Sequence, residues 1–258
     1  MSLLATAQKV TVTGHRGAAA TAPENTLASV RRAMDIGVDR VEIDVQQTAD
    51  GVVIVLHDRD LDRTTDMRGR VAKLKWTDVR KAKANRGFEK QFPDEHIPML
   101  DDVMKAVNGR CTLVIEIKDG HERYPDIEKR VLDAIKTNRA EQWCVIHTFN
   151  DKVIKHLREL HCTVPVQKLM VGIFPFTSLM LDFRLHFAEL TDYPDVDAFT
   201  FSHGMITRQN VIDAHAMGKK VHVYTVNTER DMRQMISYGV DGIITDRPEL
   251  LRSLLNGK

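Results

Sequence analysis

The chain has 258 residues, 43% of them hydrophobic and 28% charged, with a formal net charge of +1. That length suits one large core, as in a single α/β barrel, and calls for no second domain. The balanced charge excludes a global pull toward nucleic acid. Cys111, Cys144 and Cys162 sit far apart with no CxxC spacing, so neither a zinc site nor a disulfide framework is indicated.

The first residues, MSLLATAQKVTVTGHRG, have no basic leader and too short an apolar run for a signal peptide, so the expected location is cytoplasmic. β-rich runs follow at 9–15, 40–45, 52–58, 112–118, 143–149, 198–202, 220–227 and 242–246, with a weaker one at 163–171. Amphipathic helical periods separate most of them, as in NTLASVRRAMDIG, DIEKRVLDAIKTN, NDKVIKHLREL, RQNVIDAHAMG and ERDMRQMISYG. Strand and helix in alternation predict a parallel sheet, and about eight such units at this length predict a (β/α)₈ TIM barrel, with an open doubly wound sheet as the alternative.

Residues 59–111 are too long for an ordinary connection and read as a small inserted subdomain after the third strand, standing over one end of the barrel. Within it, residues 63–90 carry ten Lys or Arg against three acids, either a solvated surface or an attraction for an anionic substrate. The apolar stretch 169–187 is interrupted by Pro175, Asp182 and Arg184, so it is expected to be core or binding wall and no transmembrane segment.

Chemistry-bearing residues collect at the carboxyl ends of the first four strands. His15 and Arg16 end the first, Glu42 and Asp44 the second, His57 the third, and Glu116 and Lys118 the fourth. Barrel enzymes keep their active sites at those ends. Glu42 and Asp44 share one strand face, which in a parallel barrel is the interior. Three carboxylates gathered there repel one another unless a cation sits among them, and oxygen donors without cysteine suit Mg²⁺ or Ca²⁺. Arg16 and Lys118 add positive charge beyond the needs of such a site, which points to a phosphate. His15 and His57 then form an acid–base pair, one taking a proton from an attacking hydroxyl and the other supplying one to a leaving alcohol. Asp246 and Asn25 read as helix caps, although the loop of Asn25 lies next to the first strand end and could reach the site, and Asp58 reads as a turn residue, an imidazole partner or a support for the metal.

The ordered segments GHRG, PENT, EIDVQQTADGVVIVLHD, LDRTTD, IEIK, YTVN and GVDGIITDRP span residues 14–248. Together they resemble the glycerophosphodiester phosphodiesterases, in the short cytoplasmic form. The resemblance implies a TIM barrel with 59–111 as the inserted subdomain. It also implies Glu42, Asp44 and Glu116 as ligands of one divalent cation, His15 and His57 as the acid–base pair, and Arg16 and Lys118 as phosphate binders. The implied partner is a small glycerophosphodiester, such as glycerophosphocholine or glycerophosphoethanolamine, cleaved to glycerol 3-phosphate and an alcohol. Tyr224 in YTVN stands where the family usually has Trp, so the resemblance makes it part of the substrate wall, with less ring area and an added hydroxyl. Two other readings use the same residues: cleavage of a lysophospholipid, and a barrel that binds a phosphorylated metabolite without turning it over.

Overall fold

Parallel strands buried on both faces and wrapped by amphipathic helices have one economical closure, and the chain adopts it. The structure is a computed structural model that describes residues 10–173, 179–181 and 187–257. The chain runs β1 (Thr11–Gly14), α1 (Leu27–Ile36), β2 (Arg40–Gln47), β3 (Val53–Val55), α2 (Trp76–Val79), α3 (Leu100–Val107) and β4 (Thr112–Ile117). It continues with α4 (Ile127–Thr137), β5 (Cys144–Thr148), α5 (Asp151–Glu159), β6 (Val166–Met170), β7 (Gly172–Ile173), β8 (Leu179–Leu181) and β9 (Phe187–Glu189). The last third holds β10 (Ala198–Ser202), α6 (Arg208–Ala216), β11 (Lys220–Tyr224), α7 (Glu229–Tyr238), β12 (Gly242–Thr245) and α8 (Pro248–Leu255).

Strands β1, β2, β4, β5, β6, β10, β11 and β12 pair in parallel, and the β1 to β2 pairing closes them into the expected eight-stranded barrel. Alternate residues point outward: Val41, Ile43 and Val45 of β2, and Leu113, Ile115 and Ile117 of β4, belong to the main hydrophobic core beneath the helices. Their neighbours Glu42, Asp44 and Glu116 therefore face inward. Parallel pairing sets Asp44 beside Glu116 in register.

Two strand expectations change. The run 52–58 is not a barrel stave: β3 pairs antiparallel to β2, because TADG folds back as a hairpin turn, with the Gly51 N–H donating to the Thr48 carbonyl at 3.0 Å and Gly51 at φ +84°. His57 consequently lies beyond this short strand, and does not end a parallel one. The weaker run 163–171 supplies the stave instead, as β6. Its Lys168 is fully buried, with the ammonium 2.9 Å from Asp151 and donating to the Phe149 carbonyl.

Ile54 of β3, with Leu56, Leu61, Val71, Val79, Ala82, Ala84 and Ile97 beyond it, forms a second, smaller core, while Leu100, Val103, Met104 and Val107 of α3 pack into the main one. The connection from β6 to β10 carries a three-stranded antiparallel sheet, β7-β8-β9. Of the apolar stretch 169–187, Met170 and Met180 are core and Leu169 lines the barrel mouth, whereas 174–178 and 182–186 lie outside the described residues. The leader expectation at residues 1–9 also falls outside them. Among the described residues no helix is long and apolar enough to cross a membrane.

Candidate active site

The GHRG turn determines how the first strand meets the second. Gly14 and Gly17 leave no room for a Cβ, which would overlap the Gly17 carbonyl in one case and Ser29 in the other. Arg16 between them takes a left-handed conformation at φ +51°, a strain of about 1 kcal/mol or more that surrounding bonds must hold. They do so: the Ser29 hydroxyl donates to the Arg16 carbonyl at 2.8 Å, and the Arg16 N–H donates to Glu42 Oε2 at 3.0 Å. The turn thus delivers His15 and Arg16 onto the carboxylates of β2.

His15, Arg16, Glu42, His57, Glu116, Lys118 and Tyr224 line one cavity of about 200 Å³ at the carboxyl ends of the strands, with His147, Phe149 and Leu169 completing its wall. Asp44 lies just beneath, in contact with Lys118 and Arg16. The structure thus brings all eight sequence-predicted site residues together. A wider groove continues past His57 and Lys118 along Asp58, Arg59, Asp60 and Asp119. A separate cavity of about 280 Å³ at the opposite end, near Ile154, Cys162 and Val196, carries only the Arg158–Asp195 ion pair and Asp197 as charged lining. It has none of this chemistry.

Glu42, Asp44 and Glu116 each offer a carboxylate oxygen, all within 4.8 Å of one another. Burial pushes Glu42 upward in pKa, with Asp44 adding to it, and burial raises Glu116 against the pull of Lys118. Burial would raise Asp44 too, but Lys118 and Arg16 hold it below the usual carboxylate range. The Lys118 ammonium sits 2.8 Å from Asp44 Oδ1 and 2.6 Å from Glu116 Oε1. It leaves Glu42 Oε1 buried with no hydrogen-bond partner. An oxygen in that condition, beside two further carboxylates, fits a divalent cation. The three residues can hold one.

Each histidine is tied through Nδ1 to an aspartate. His15 Nδ1 is 2.6 Å from Asp246 Oδ1, and His57 Nδ1 is 2.6 Å from Asp58 Oδ1. Burial disfavours the His15 imidazolium, but the Asp246 bond and the nearby Glu42 outweigh it and raise its pKa. For His57, burial is the largest influence, Lys118 and Arg16 act in the same direction, and its pKa is lowered. The two rings are pushed apart.

Four supporting residues stand outside the site set expected from the sequence. Asp246 is no helix cap: besides His15 it accepts from Asn227 Nδ2 at 2.6 Å, and Arg247 occupies the cap position of α8. Asn25 does not cap α1, where Thr26 accepts from the Ser29 N–H; it donates instead to Asp44 Oδ2 at 2.8 Å and accepts the Asp44 N–H at 3.1 Å. Glu24 accepts from Arg16 at 2.7 Å and from Arg63 at 2.8 and 2.7 Å, and Arg63 also donates to Asp58 at 2.6 Å. Glu24 and Asn25 stand in PENT, so the motif itself was their only signal. Tyr224 donates to the Met170 carbonyl at 3.0 Å and meets Phe149 edge-on, ring centroids 5.9 Å apart, as one side of the wall.

The profile of the glycerophosphoryl diester phosphodiesterase family matches residues 15–250. A glycerophosphodiester phosphodiesterase from Caldanaerobacter subterraneus is 35% identical, over 96% of this chain and 98% of its own. One from Bacillus altitudinis is 29% identical, over 91% and 94%. Among solved structures, an Oleispira antarctica phosphodiesterase in complex with the product sn-glycerol-3-phosphate superimposes with a TM-score of 0.85 at 24% identity, covering 95% of this chain and 96% of that one. A match that starts at His15 and runs into the last helix, with a relative more than one-third identical from end to end, shows that the chain belongs to the glycerophosphoryl diester phosphodiesterase family.

Proposed function

We propose that this chain hydrolyses glycerophosphodiesters such as glycerophosphocholine and glycerophosphoethanolamine to sn-glycerol 3-phosphate and the free alcohol, by metal-assisted acid–base catalysis. The observation that carries the reading is the convergence on one cavity of two aspartate-anchored imidazoles, a carboxylate trio with an unpartnered oxygen, and two cations. Glu42, Asp44 and Glu116 would hold Mg²⁺ or Ca²⁺, which when bound supplies positive charge to a phosphate oxygen. Arg16 and Lys118 bind the remaining phosphate charge, and Asn25 and Glu24 keep the Asp44 and Arg16 side chains in place. With Nδ1 held by aspartate, each histidine has Nε2 free for proton transfer. One takes the proton of the attacking hydroxyl, which is water or else the glycerol 2-hydroxyl forming a cyclic phosphate that water then opens, while the other gives a proton to the departing alcohol oxygen, so the phosphorus–oxygen bond breaks without expelling an alkoxide. Phe149 and Tyr224 form the apolar side against which the glycerol or headgroup lies.

A mere binder of phosphorylated metabolites would need the cations and the metal cage but no pair of anchored imidazoles. The test is release of glycerol 3-phosphate from glycerophosphocholine by chelated protein, before and after adding Mg²⁺ or Ca²⁺. Release that appears only with metal is the expected result. Folded protein that releases nothing with either ion would overturn the reading, and release only from acylated substrates would replace it with a lysophospholipid specificity.

A further inference from the structure

Below Lys118, the loop leaving β4 meets α4 and α5 at a second group of metal-ligating side chains. His121 of the loop, Glu128 of α4 and His156 of α5 each present a ligand atom, all within 4.8 Å of one another. Glu128 is fully buried, a costly place for an anion without matching charge. Among the described residues, its side-chain partners within ion-pair distance are the two imidazoles alone. His121 Nδ1 lies 3.5 Å from Glu128 Oε1, and His156 Nδ1 lies 3.3 Å from Oε2. Yet neither Oε2 nor His156 Nδ1 has a hydrogen-bond partner, so these atoms approach without the alignment of donor and acceptor. That is how two ligands stand when both face a third point. Zinc ligands about 2.0 to 2.1 Å from the ion are separated by about 3.3 to 3.4 Å along a tetrahedral edge, the distance between His156 Nδ1 and Oε2, while His121 Nδ1 stands slightly wider, 3.5 Å from the other carboxylate oxygen.

The backbone accommodates the arrangement. A Cβ on Gly120 would overlap Glu128 Oε1 and crowd Val153, so glycine there lets the carboxylate reach under the loop. The His121 N–H donates to the same oxygen at 3.1 Å, which fixes the loop on its anchor. The half-exposed His121 side chain leaves an approach for the ion and for a water as fourth ligand.

We propose that His121, Glu128 and His156 form a second metal site, selective for a first-row transition dication of the Zn²⁺ type, which clamps the β4 loop to α4 and α5. Two imidazoles with one carboxylate suit such an ion and not Mg²⁺ or Ca²⁺, which take oxygen donors. The clamp is structural: the loop it holds begins with Lys118 at the cavity and Asp119, which receives Arg59 in two bonds of 2.9 Å.

The test uses the full chain carrying Glu42→Gln and Glu116→Gln, so that the active-site carboxylates no longer compete and the result stands whatever the reaction proves to be. After chelation the protein is titrated with Zn²⁺ by calorimetry and with Co²⁺ by visible absorption, and its Tm is followed. Saturable Zn²⁺ binding, a Co²⁺ band of imidazole-ligated type and a rise in Tm are expected. His156→Ala should weaken Zn²⁺ binding by about 10-fold or more and remove the band and the Tm shift. His121→Ala, at an exposed side chain, should do the same without threatening the fold. Absence of saturable Zn²⁺ binding, or binding that His121→Ala leaves unchanged, would overturn the site and leave Glu128 as an ion-paired anion only.

Discussion

A histidine acquires a direction when one ring nitrogen is tied, and His15 and His57 are tied with opposite electrostatic results. The Asp246 bond holds His15 toward its protonated form, whereas burial among Lys118 and Arg16 favours neutral His57. That division predicts His15 as the acid and His57 as the base. His15→Ala and His57→Ala should each lower kcat on glycerophosphocholine by about 10² to 10⁴. On a substrate with p-nitrophenol as leaving group, which departs without a proton, His15→Ala should recover most of its loss and His57→Ala should not; the reverse pattern would exchange the roles. Glu42 gives a second prediction. Its unpartnered oxygen makes Glu42→Gln neutral or stabilising in chelated protein. With Mg²⁺ or Ca²⁺ at about 100 times its dissociation constant, the parent should gain about 2.7 kcal/mol and the variant little, as denaturant titrations would show. The seven charged or imidazole residues were legible because strand alternation and strand ends leave a charge few other reasons to be there. Asp246 and Asn25 were not, because a turn Asp or Asn beside a helix start looks the same whether it caps the helix or reaches across the barrel.

At the level of elements, β3 and β6 show what a run of β-branched residues does and does not determine. Val52 to Leu56 has the composition of a stave, yet the preceding TADG returns the chain along β2, and the turn decides its partner. In β6, Lys168 breaks the apolar run, and only the fold supplies Asp151 and the Phe149 carbonyl to receive it. The hairpin also determines where the segment after β3 attaches: the Leu56 N–H donates to the Asp44 carbonyl at 3.0 Å, and Gln46 Nε2 donates to the His57 carbonyl at 2.8 Å. His57 is therefore held by β2 itself. Arg63, from the segment after β3, joins Glu24 to Asp58, linking the supports of Arg16 and His57 through one guanidinium. As a half-exposed pair-former it contributes about 1 kcal/mol or less to stability. Arg63→Ala should accordingly leave the Tm within a few degrees by about the usual scaling, while kcat/KM falls by about 10-fold as both supports loosen, a loss of about 1.4 kcal/mol in transition-state stabilisation. Equal kcat/KM for variant and parent would mean that the segment after β3 has no part in holding these supports.

Over the whole molecule, the barrel interior holds polar groups at its amino end, its middle and its mouth, between inward apolar side chains such as Val114, Val145 and Ile244, which an alternation of outward valines and isoleucines permits but does not specify. At the amino end Arg40 lies 3.2 Å from His222 Nε2 and donates to Gln167 Oε1 at 2.9 Å; midway His147 Nε2 meets the Thr200 hydroxyl at 2.9 Å; the carboxylates occupy the mouth. Burial lowers the pKa of both His147 and His222 well below 6.5, and the Arg40 charge lowers them further. Burial also brings Arg40 itself down to about 10. In the folded state these two rings stay neutral below pH 6.5, whereas in the unfolded chain they take up protons there. The unfolded state thus binds more protons as pH falls below 6.5, and stability falls with it; above that pH the two states bind alike and the effect is absent. Each ring contributes a slope of up to about 1.4 kcal/mol per pH unit, so the pair approaches about 2.7. Denaturant titrations of chelated protein at pH 7.5, 6.5 and 5.5 should show a flat upper interval and a steep lower one for this pair, over whatever the carboxylates add. His222→Gln keeps an acceptor for Arg40 and removes one titrating ring, so it should lower the slope below pH 6.5 by about 1.4 kcal/mol per unit. An unchanged slope in that variant would mean that the imidazole accepts a proton inside the barrel, and that Arg40 gives way to let it do so.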